Sequence, residues 1–110
     1  MLAISGLARI FVCRDPVDLR KGFHGLAGIV TNFLQEELID NAYFAFLNKS
    51  RDCIKILYFD GDGLAIWQKR LEKGRFPKQP QQSPLMNRRH FLMLIEGVVP
   101  KKIHKRLKMN

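Results

Sequence analysis

Cysteine and histidine are scarce in this 110-residue chain, which has two cysteines and three histidines. Cys13 and Cys53 lie far apart in apolar stretches and neither has a C-x-x-C partner, so we predict buried free thiols rather than a disulfide. His24, His90 and His104 show no metal-ligand spacing, and no Ser-His-Asp or Cys-His pairing is visible. We therefore expect no metal and no cofactor, and free thiols suit a reducing cytoplasm.

The chain also has no long uncharged run. No stretch approaches the roughly 18 apolar residues that a membrane helix needs. The first nine residues carry no basic leader and meet Arg9 before any apolar run of signal-peptide length. We therefore expect a soluble cytoplasmic protein that is not exported and has no membrane partner.

Acidic residues are few in the second half of the chain. Residues 1–54 hold six cations and six acids, whereas residues 55–110 hold thirteen cations and four acids, so the whole net charge of +9 arises after residue 54. A basic half of this kind favours a polyanionic partner, most simply nucleic acid. The alternative is a solvated face that only keeps the protein soluble.

Residues 55–76, KILYFDGDGLAIWQKRLEKGRF, combine apolar runs, a turn and a strip of cations. The β-branched, aromatic and apolar side chains of residues 54–59 and 64–71 predict two strands. Asp60-Gly61-Asp62-Gly63 predicts a two-residue turn between them, with positive φ at both central positions. The segment therefore predicts a β-hairpin whose second strand becomes basic.

This hairpin, residues 18–27 (DLRKGFHGLA) and residues 94–97 (LIEG) occur in the order and spacing of a known family. Over residues 1–99 the chain resembles the accessory proteins, often called TnpB, that bacterial transposable elements of insertion-sequence family sixty-six carry beside their transposase. These proteins are unrelated to the RNA-guided nucleases of the same name. The chain departs from the family pattern at Tyr58-Phe59 and Phe76-Pro77-Lys78, where tryptophans are expected, and in a basic extension after Pro100.

The resemblance implies a non-catalytic accessory role in transposition, because the chemistry of these elements is attributed to a separate, larger transposase with an acidic triad. It also implies that transposase as a partner. The family-motif positions in this chain are Asp18, Arg20, Lys21, Gly22 and Phe23, together with Asp60, Gly61, Asp62 and Gly63.

Upstream of the hairpin, residues 7–13 and 43–47 predict strands, and residues 16–38 predict one long helix between them. Asp15 suits the N-cap of that helix and Pro16 suits its first position. Its recurring apolar residues predict that it packs flat on the sheet.

Three glycines, Gly22, Gly25 and Gly28, lie within this predicted helix. Each costs about 1 kcal/mol relative to alanine in a helix interior. Their spacing is not that of a dinucleotide-binding loop or a P-loop. We therefore predict that they allow a close approach of helix to sheet.

The C-terminal part alternates between loop and helix signals. Residues 74–84 are rich in Pro and Gln and predict a surface loop, and Asn87 suits the cap of a short helix over residues 88–96. We predict an α+β domain over residues 1–100, followed by a basic C-terminal tail, residues 101–110. Its antiparallel β-sheet has about four or five strands, with one long helix packed on a face and a short C-terminal helix beside it.

The best candidates for a nucleic-acid surface are cations of the basic half, with Trp67 and Phe76 interleaved. Cations neutralise phosphates, and an exposed aromatic ring stacks on an unpaired base. The favoured alternative for Trp67 is the core, because it ends an apolar run. Arg20 and Lys21 would extend this surface. The candidate nucleic-acid-binding residues are Lys69, Arg70, Lys73, Arg75, Arg88, Arg89, Lys101, Lys102, Lys105 and Arg106.

Two alternatives stay open beside the accessory role. A small metal-dependent nuclease would use Asp60 and Asp62 with Asp18 or Glu96 recruited to them, although turn chemistry explains the pair better. A protein–protein adaptor without DNA contact would be favoured by exposed apolar surface beside the basic strip or by an edge-strand dimer. Our leading prediction is a non-catalytic accessory protein for transposition that binds DNA, or bridges DNA and the transposase, through the hairpin and the tail.

Overall fold

The computed structural model of this chain describes residue 2, residues 4–78 and residues 85–96. The strands are β1 (Arg9–Val12), β2 (Ala42–Leu47), β3 (Cys53–Asp60), β4 (Gly63–Arg70) and β5 (Leu85–Met86). The helices are α1 (Phe23–Gly28), which continues directly into a π-helical segment (Ile29–Phe33), and α2 (Arg88–Ile95). Within these residues no helix has the length and apolar character needed to cross a bilayer.

One five-stranded sheet, in the order β4-β3-β2-β1-β5, forms the centre of the fold. β1 and β2 pair in parallel, with Phe11 opposite Phe44, whereas the other pairings are antiparallel. The prediction of an antiparallel sheet was therefore wrong. After β1 the chain crosses one face of the sheet through α1 and returns to the end of the sheet where β1 began. There it enters β2, and such a crossover makes the two neighbouring strands parallel.

The prediction of a long helix over residues 16–38 was also wrong. Helical structure covers only residues 23–33. The preceding segment is irregular, and near its start the Val17 N–H donates to the Leu47 carbonyl, at the end of β2, at 2.9 Å. This contact holds residue 17 against the end of β2, where the chain is not helical, so the tertiary contact overrides the helical pattern.

A short polar turn, rather than the predicted Asp15 cap, leads into α1. The Asp18 carboxylate accepts the Arg20 N–H at 3.0 Å, a local bond that competes with helix formation. Gly22 is the N-cap and is extended. A Cβ placed on Gly25 would lie 2.9 Å from the Lys21 Cβ, and no sheet atom lies that near. The predicted close glycine-mediated approach to the sheet was therefore wrong.

Each face of the sheet is covered by one helix, so the two helices lie on opposite faces rather than side by side. On the α1 face, Leu26 and Val30 are fully buried, and on the α2 face so is Phe91. The α1-side cluster consists of Phe11, Cys13, Leu26, Val30, Ala42, Phe44, Phe46 and Leu57. The α2-side cluster consists of Ile4, Ile10, Val12, Ala45, Leu47, Ile54, Ile56, Phe76, Phe91, Leu94 and Ile95.

The hairpin of β3 and β4 is confirmed, with Ile56 opposite Trp67 and Asp60 opposite Gly63. Its turn differs from the prediction, because only Gly61 has a positive φ, of 67°. The Asp62 N–H donates to the Asp60 carbonyl at 2.7 Å, which closes a tight three-residue turn around Gly61. The left-handed backbone is therefore needed at one central position and not at two.

Both cysteines are buried free thiols, as predicted. Burial raises the pKa of Cys13, which keeps its thiol protonated at neutral pH. Gln68 Nε2 lies 3.5 Å from the Cys53 sulfur. Neither thiol is exposed, as the thiol of a reactive cysteine is.

The short C-terminal helix is confirmed, and it ends one residue before the predicted boundary. Asn87 caps it, since its Oδ1 accepts the His90 N–H at 2.8 Å. Strand β5, which was not predicted, pairs with β1 just before this helix. The predicted tail over residues 101–110 and part of the predicted loop over residues 74–84 lie outside the described residues.

Candidate functional site

A groove of about 850 Å³ lies on the α1 face, at the end of the hairpin opposite its turn. Three segments meet there: the extended chain after β1, the turn between β2 and β3, and β4 with the residues that follow it. We call it the hairpin-base groove. It is lined by Pro16, Val17, Asp18, Leu19, Arg20, Asn48, Lys49, Ser50, Cys53, Gln68, Arg70 and Arg75.

The turn between β2 and β3 is held by a side-chain network. Asn48 Oδ1 accepts the N–H groups of Asp52 and Cys53 at 3.1 and 3.2 Å. Asn48 Nδ2 and the Ser50 hydroxyl donate to the Asp52 carboxylate at 2.6 and 3.0 Å. Both bonds to the carboxylate lower the pKa of Asp52, and the bond from Asn48 has the larger effect. The network fixes the backbone that carries Lys49 into the groove.

An ion pair forms the opposite wall. Arg20 Nε and Nη2 donate to the two oxygens of Asp18, the shortest contact being 2.7 Å. The Arg20 guanidinium holds the pKa of Asp18 well below its usual range, and Asp18 in turn raises the pKa of Arg20. Arg20 is 91% exposed. The carboxylate therefore orients a guanidinium that still reaches solvent.

Four cations line the groove against one acid, Asp18. They are Arg20, Lys49, Arg70 and Arg75, and all four are exposed. Arg70 also lies 3.7 Å from the Asp52 carboxylate, a loose contact that leaves its side chain 65% exposed. A concave surface lined mainly by one sign of charge concentrates the field and attracts anions. The groove is therefore suited to a phosphate-bearing ligand.

Two of the predicted phosphate-binding cations have main-chain partners within the fold. Lys69, which neighbours Arg70, faces the α2 side, where its Nζ donates to the Ile95 carbonyl at 2.9 Å. Arg88 Nε donates to the Ile4 carbonyl at 2.9 Å. Each cation satisfies a main-chain acceptor, the first of them at the C-terminal turn of α2.

The other candidates divide into two groups. Lys73, Arg75 and Arg89 are exposed, and the described part of the chain offers them no ion-pair partner. Of these, only Arg75 lines the groove. The predicted tail cations lie outside the described residues; they are Lys101, Lys102, Lys105 and Arg106.

The two aromatic side chains of the basic strip pack with the α2-side cluster. Phe76 is 1% exposed, and Trp67 packs against the α2-side cluster with part of its surface exposed. Two hydrogen bonds to Arg51 hold the Phe76 backbone. The Arg51 carbonyl accepts the Phe76 N–H at 2.6 Å, and Arg51 Nε donates to the Phe76 carbonyl at 3.2 Å. Trp67 packs against the core without being buried in it, and Phe76 offers no surface on which a base can stack.

The two family-like motifs lie at opposite ends of the hairpin. Asp18 and Arg20 line the groove. Lys55 Nζ donates to the Lys21 carbonyl at 3.2 Å, and Phe23 begins α1. The Asp60–Gly63 turn lies at the other end of the hairpin, seven residues along β3 from Cys53, which lines the groove. Among residues 4–78 and 85–96, no three Asp, Glu, His or Cys side chains converge as a metal site. The convergence on Asp60 and Asp62 that a nuclease requires does not occur among them.

Sequence reasoning missed the contribution of the turn between β2 and β3. Asn48, Lys49 and Ser50 were not among the candidate residues, yet they form one wall of the groove. The alternation of short polar residues at positions 48, 50 and 52 is typical of a turn held by its own side chains. No local pattern indicates that this turn meets Arg20 and Arg75.

Comparison with known proteins gives one family match and two relatives of unknown role. The family model described as "IS66 Orf2 like protein" matches residues 8–105. "Uncharacterized protein y4jC" of Sinorhizobium fredii (strain NBRC 101917 / NGR234) is 32% identical over 100 residues, 89% of this chain and 86% of the relative. "Uncharacterized protein y4hO" of the same strain is 33% identical over 76 residues, 69% of this chain and 66% of the relative. No solved structure matches the chain.

Proposed function

Because the chain belongs to the IS66 Orf2-like family, whose members are accessory proteins of transposition, we propose that it binds DNA and presents it to the transposase without catalysing a reaction itself. The observation that supports this most directly is the hairpin-base groove. It gathers Arg20, Lys49, Arg70 and Arg75 from three separate segments onto one concave surface. Its place of action, as for any factor that meets DNA and transposase together, is the cytoplasm.

DNA suits this groove better than a small anion does. The groove is open and about 850 Å³ in volume, and its cations are spread over three segments rather than focused on one point. Flexible, solvated cations distributed in this way neutralise successive phosphates and release counterions. Arg20 is an exception, because Asp18 fixes its guanidinium in one direction. We assign it the placement of one backbone phosphate.

Binding is tested by fluorescence anisotropy with the element's terminal DNA and with a scrambled duplex, across a salt titration. We expect log K to fall with log salt at a slope of several units, as for a surface that contacts several phosphates. Tighter binding of the terminal DNA would assign recognition of the element ends to this protein. Absence of binding at low salt would refute the DNA proposal.

The matched variants compare charge inside and outside the groove. Arg70→Gln/Arg75→Gln removes two groove cations and should lower the salt slope by about two. Arg9→Gln/Arg89→Gln removes the same charge from other parts of the surface and should leave the slope nearly unchanged. Equal losses in the two double variants would mean that net charge, and not the groove, drives binding.

A protein adaptor is a second candidate, and one observation favours it. Phe23 and Phe33, on the segment that covers the α1 face, are 47% and 77% exposed. Exposed aromatic rings are common at protein–protein interfaces. If Phe33→Ser abolishes capture by the purified transposase while DNA binding persists, the two contacts are separate and the bridging role is supported. If wild-type protein captures the transposase and no DNA, the adaptor replaces our proposal.

A further inference from the structure

Strand β4 has one open edge. It is eight residues long and pairs with β3 on one side only, and no described segment pairs with its other side. The opposite edge strand of the sheet, β5, is only two residues long. Short edge strands protect proteins from unwanted pairing, and long ones require another device. One edge of the sheet is therefore protected by its shortness and the other is not.

The usual protective devices are missing from most of β4. Its first six residues, GLAIWQ, include no charge and no proline, and the cations Lys69 and Arg70 stand only at its end. Leu64, Ile66 and Trp67 are partly exposed apolar residues along this edge. An uncharged edge of this length is suited to pairing with another strand.

The unpaired backbone groups can be assigned from the alternation along the strand. The Leu71 N–H donates inward, to the Asp52 carbonyl, at 2.7 Å. Successive N–H groups of a strand point to opposite sides. The N–H groups of Leu64, Ile66, Gln68 and Arg70 therefore point outward, away from β3.

Charge selects one arrangement with a second copy of this chain. In antiparallel self-pairing, outward-pointing residues must face outward-pointing residues, so the two-fold axis passes through a residue position. An axis at Trp67 would place Asp62 opposite the second copy's Glu72, which is like charge on like charge. An axis at Ile66 places Asp62 opposite Arg70 of the second copy, at both ends of the paired segment.

We propose that the chain forms a homodimer in which two β4 edges pair antiparallel about Ile66. Leu64 of each copy then faces Gln68 of the other, and the Asp62 carboxylate faces the Arg70 guanidinium, within reach of an ion pair. The acidic turn and the basic end of the hairpin are thus complementary. A second copy satisfies both at once, because antiparallel pairing reverses the order of the charges.

This dimer would continue the sheet across the two copies. The two-fold axis is perpendicular to the sheet, so both α1 faces, and with them both hairpin-base grooves, lie on the same side. The dimer shares Arg70 with the groove, but its test contains no DNA, so the two proposals fail separately.

The test combines sedimentation velocity with amide hydrogen exchange on the full chain over a concentration series. We expect a monomer–dimer equilibrium in which four amides become protected from exchange as the fraction of dimer rises with concentration. These are the amides of Leu64, Ile66, Gln68 and Arg70. The amides of Ala65, Trp67 and Lys69, which face β3, should be protected at every concentration. They also report that the hairpin is folded in each variant.

A charge exchange tests the pairing itself. Asp62→Arg and Arg70→Asp should each weaken the dimer by about tenfold, because each places like charges opposite one another. The double variant Asp62→Arg/Arg70→Asp should recover wild-type affinity. Gln68→Pro, which removes an outward N–H that the monomer does not use, should abolish the dimer and leave the fold intact.

A monomer at every concentration would overturn the proposal. So would a dimer in which the four outward amides still exchange rapidly, since it would use another surface. A double variant as weak as the two single variants would overturn the pairing about Ile66.

Discussion

The two faces of the sheet use basic side chains in different ways, and neighbouring residues of β4 show the contrast. On the α2 face, Lys69 donates to the Ile95 carbonyl at 2.9 Å. On the α1 face, Arg70 makes only a 3.7 Å contact with Asp52 and remains 65% exposed. One cation stabilises the end of a helix, and the next is available to a ligand.

This difference shows that cations that are consecutive in the sequence need not form one basic patch on the surface. Side chains along a strand alternate between faces, so consecutive cations separate onto opposite sides of the sheet. What each does then depends on the acceptors it meets. On the α2 face these are main-chain carbonyls, and in the hairpin-base groove they are carboxylates at its rim and solvent.

The largest expected effect compares the cores of the two faces. Phe91→Ala should destabilise the protein by about 3–5 kcal/mol and Leu26→Ala by about 2–5 kcal/mol, because both side chains are fully buried. Urea unfolding with two probes should show one transition for each variant. Leu7→Ala, at a residue 84% exposed, is the control and should change stability by less than about 0.5 kcal/mol. Separate transitions would contradict a single cooperative fold.

The same substitution at the neighbouring cations Lys69 and Arg70 sharpens the comparison. Lys69→Met should cost about 1 kcal/mol of stability, because the Ile95 carbonyl loses a charged donor, and should leave DNA affinity unchanged. Arg70→Met should cost less than about 0.5 kcal/mol and lower the salt slope of DNA binding by about one. Thermal unfolding and anisotropy measure the two effects. If Lys69→Met weakens DNA binding as much as Arg70→Met does, the assignment of faces is wrong.

The hairpin turn allows a comparison of two glycines of one motif. Gly61→Ala should cost about 1 kcal/mol, because Gly61 has φ of 67° and alanine is strained there. Gly63→Ala should change stability by less than about 0.5 kcal/mol, since φ there is not positive and an added Cβ meets nothing within 4 Å. Chemical denaturation separates them. Equal costs would mean that the positive φ of Gly61 does not decide how well the turn tolerates a side chain.

The smallest effect concerns Asp18. Its pKa is lowered by Arg20, so its contribution to stability is present above the ordinary carboxyl pKa of about 4 and is lost as pH falls below that value. Asp18→Asn should therefore differ from the wild type by a constant small amount at neutral pH, and the difference should vanish in acid. The variant should also bind DNA slightly less tightly, because Arg20 loses the carboxylate that holds its guanidinium in place. Unchanged or tighter binding would show that Arg20 does not need this support and that the Asp18 charge only repels DNA.

Local patterns predicted the elements whose partners are close in sequence. The hairpin followed from two apolar runs and a turn, and Asn87 capped α2 as expected, because neighbouring residues decide both features. The helix over residues 16–38 failed because Val17 bonds to β2, some 30 residues away along the chain. Periodicity does not detect such a competitor. Phe33, an apolar residue within that predicted helix, is 77% exposed.

The sequence predicted the charge of the candidate site but not all of the residues that form it. The excess of cations after residue 54 indicated a polyanion, and Arg70 and Arg75 were among the candidates. Lys49 was not, because its role depends on a turn that meets residues from two other segments in the groove. Arg88 was expected to bind phosphate, yet it donates to the Ile4 carbonyl, a contact between residues 84 positions apart.

By itself the sequence determined which residues alternate along each strand, where the hairpin turns and where the net charge lies, since these depend on residues a few positions apart. It also determined the family, through motifs read in order. Only the tertiary structure decided that β1 and β2 are parallel, that the helices cover opposite faces, and which cations meet carbonyls and which meet solvent. Those outcomes depend on contacts between distant segments, whose free energies are comparable with local preferences and override them where the chain packs.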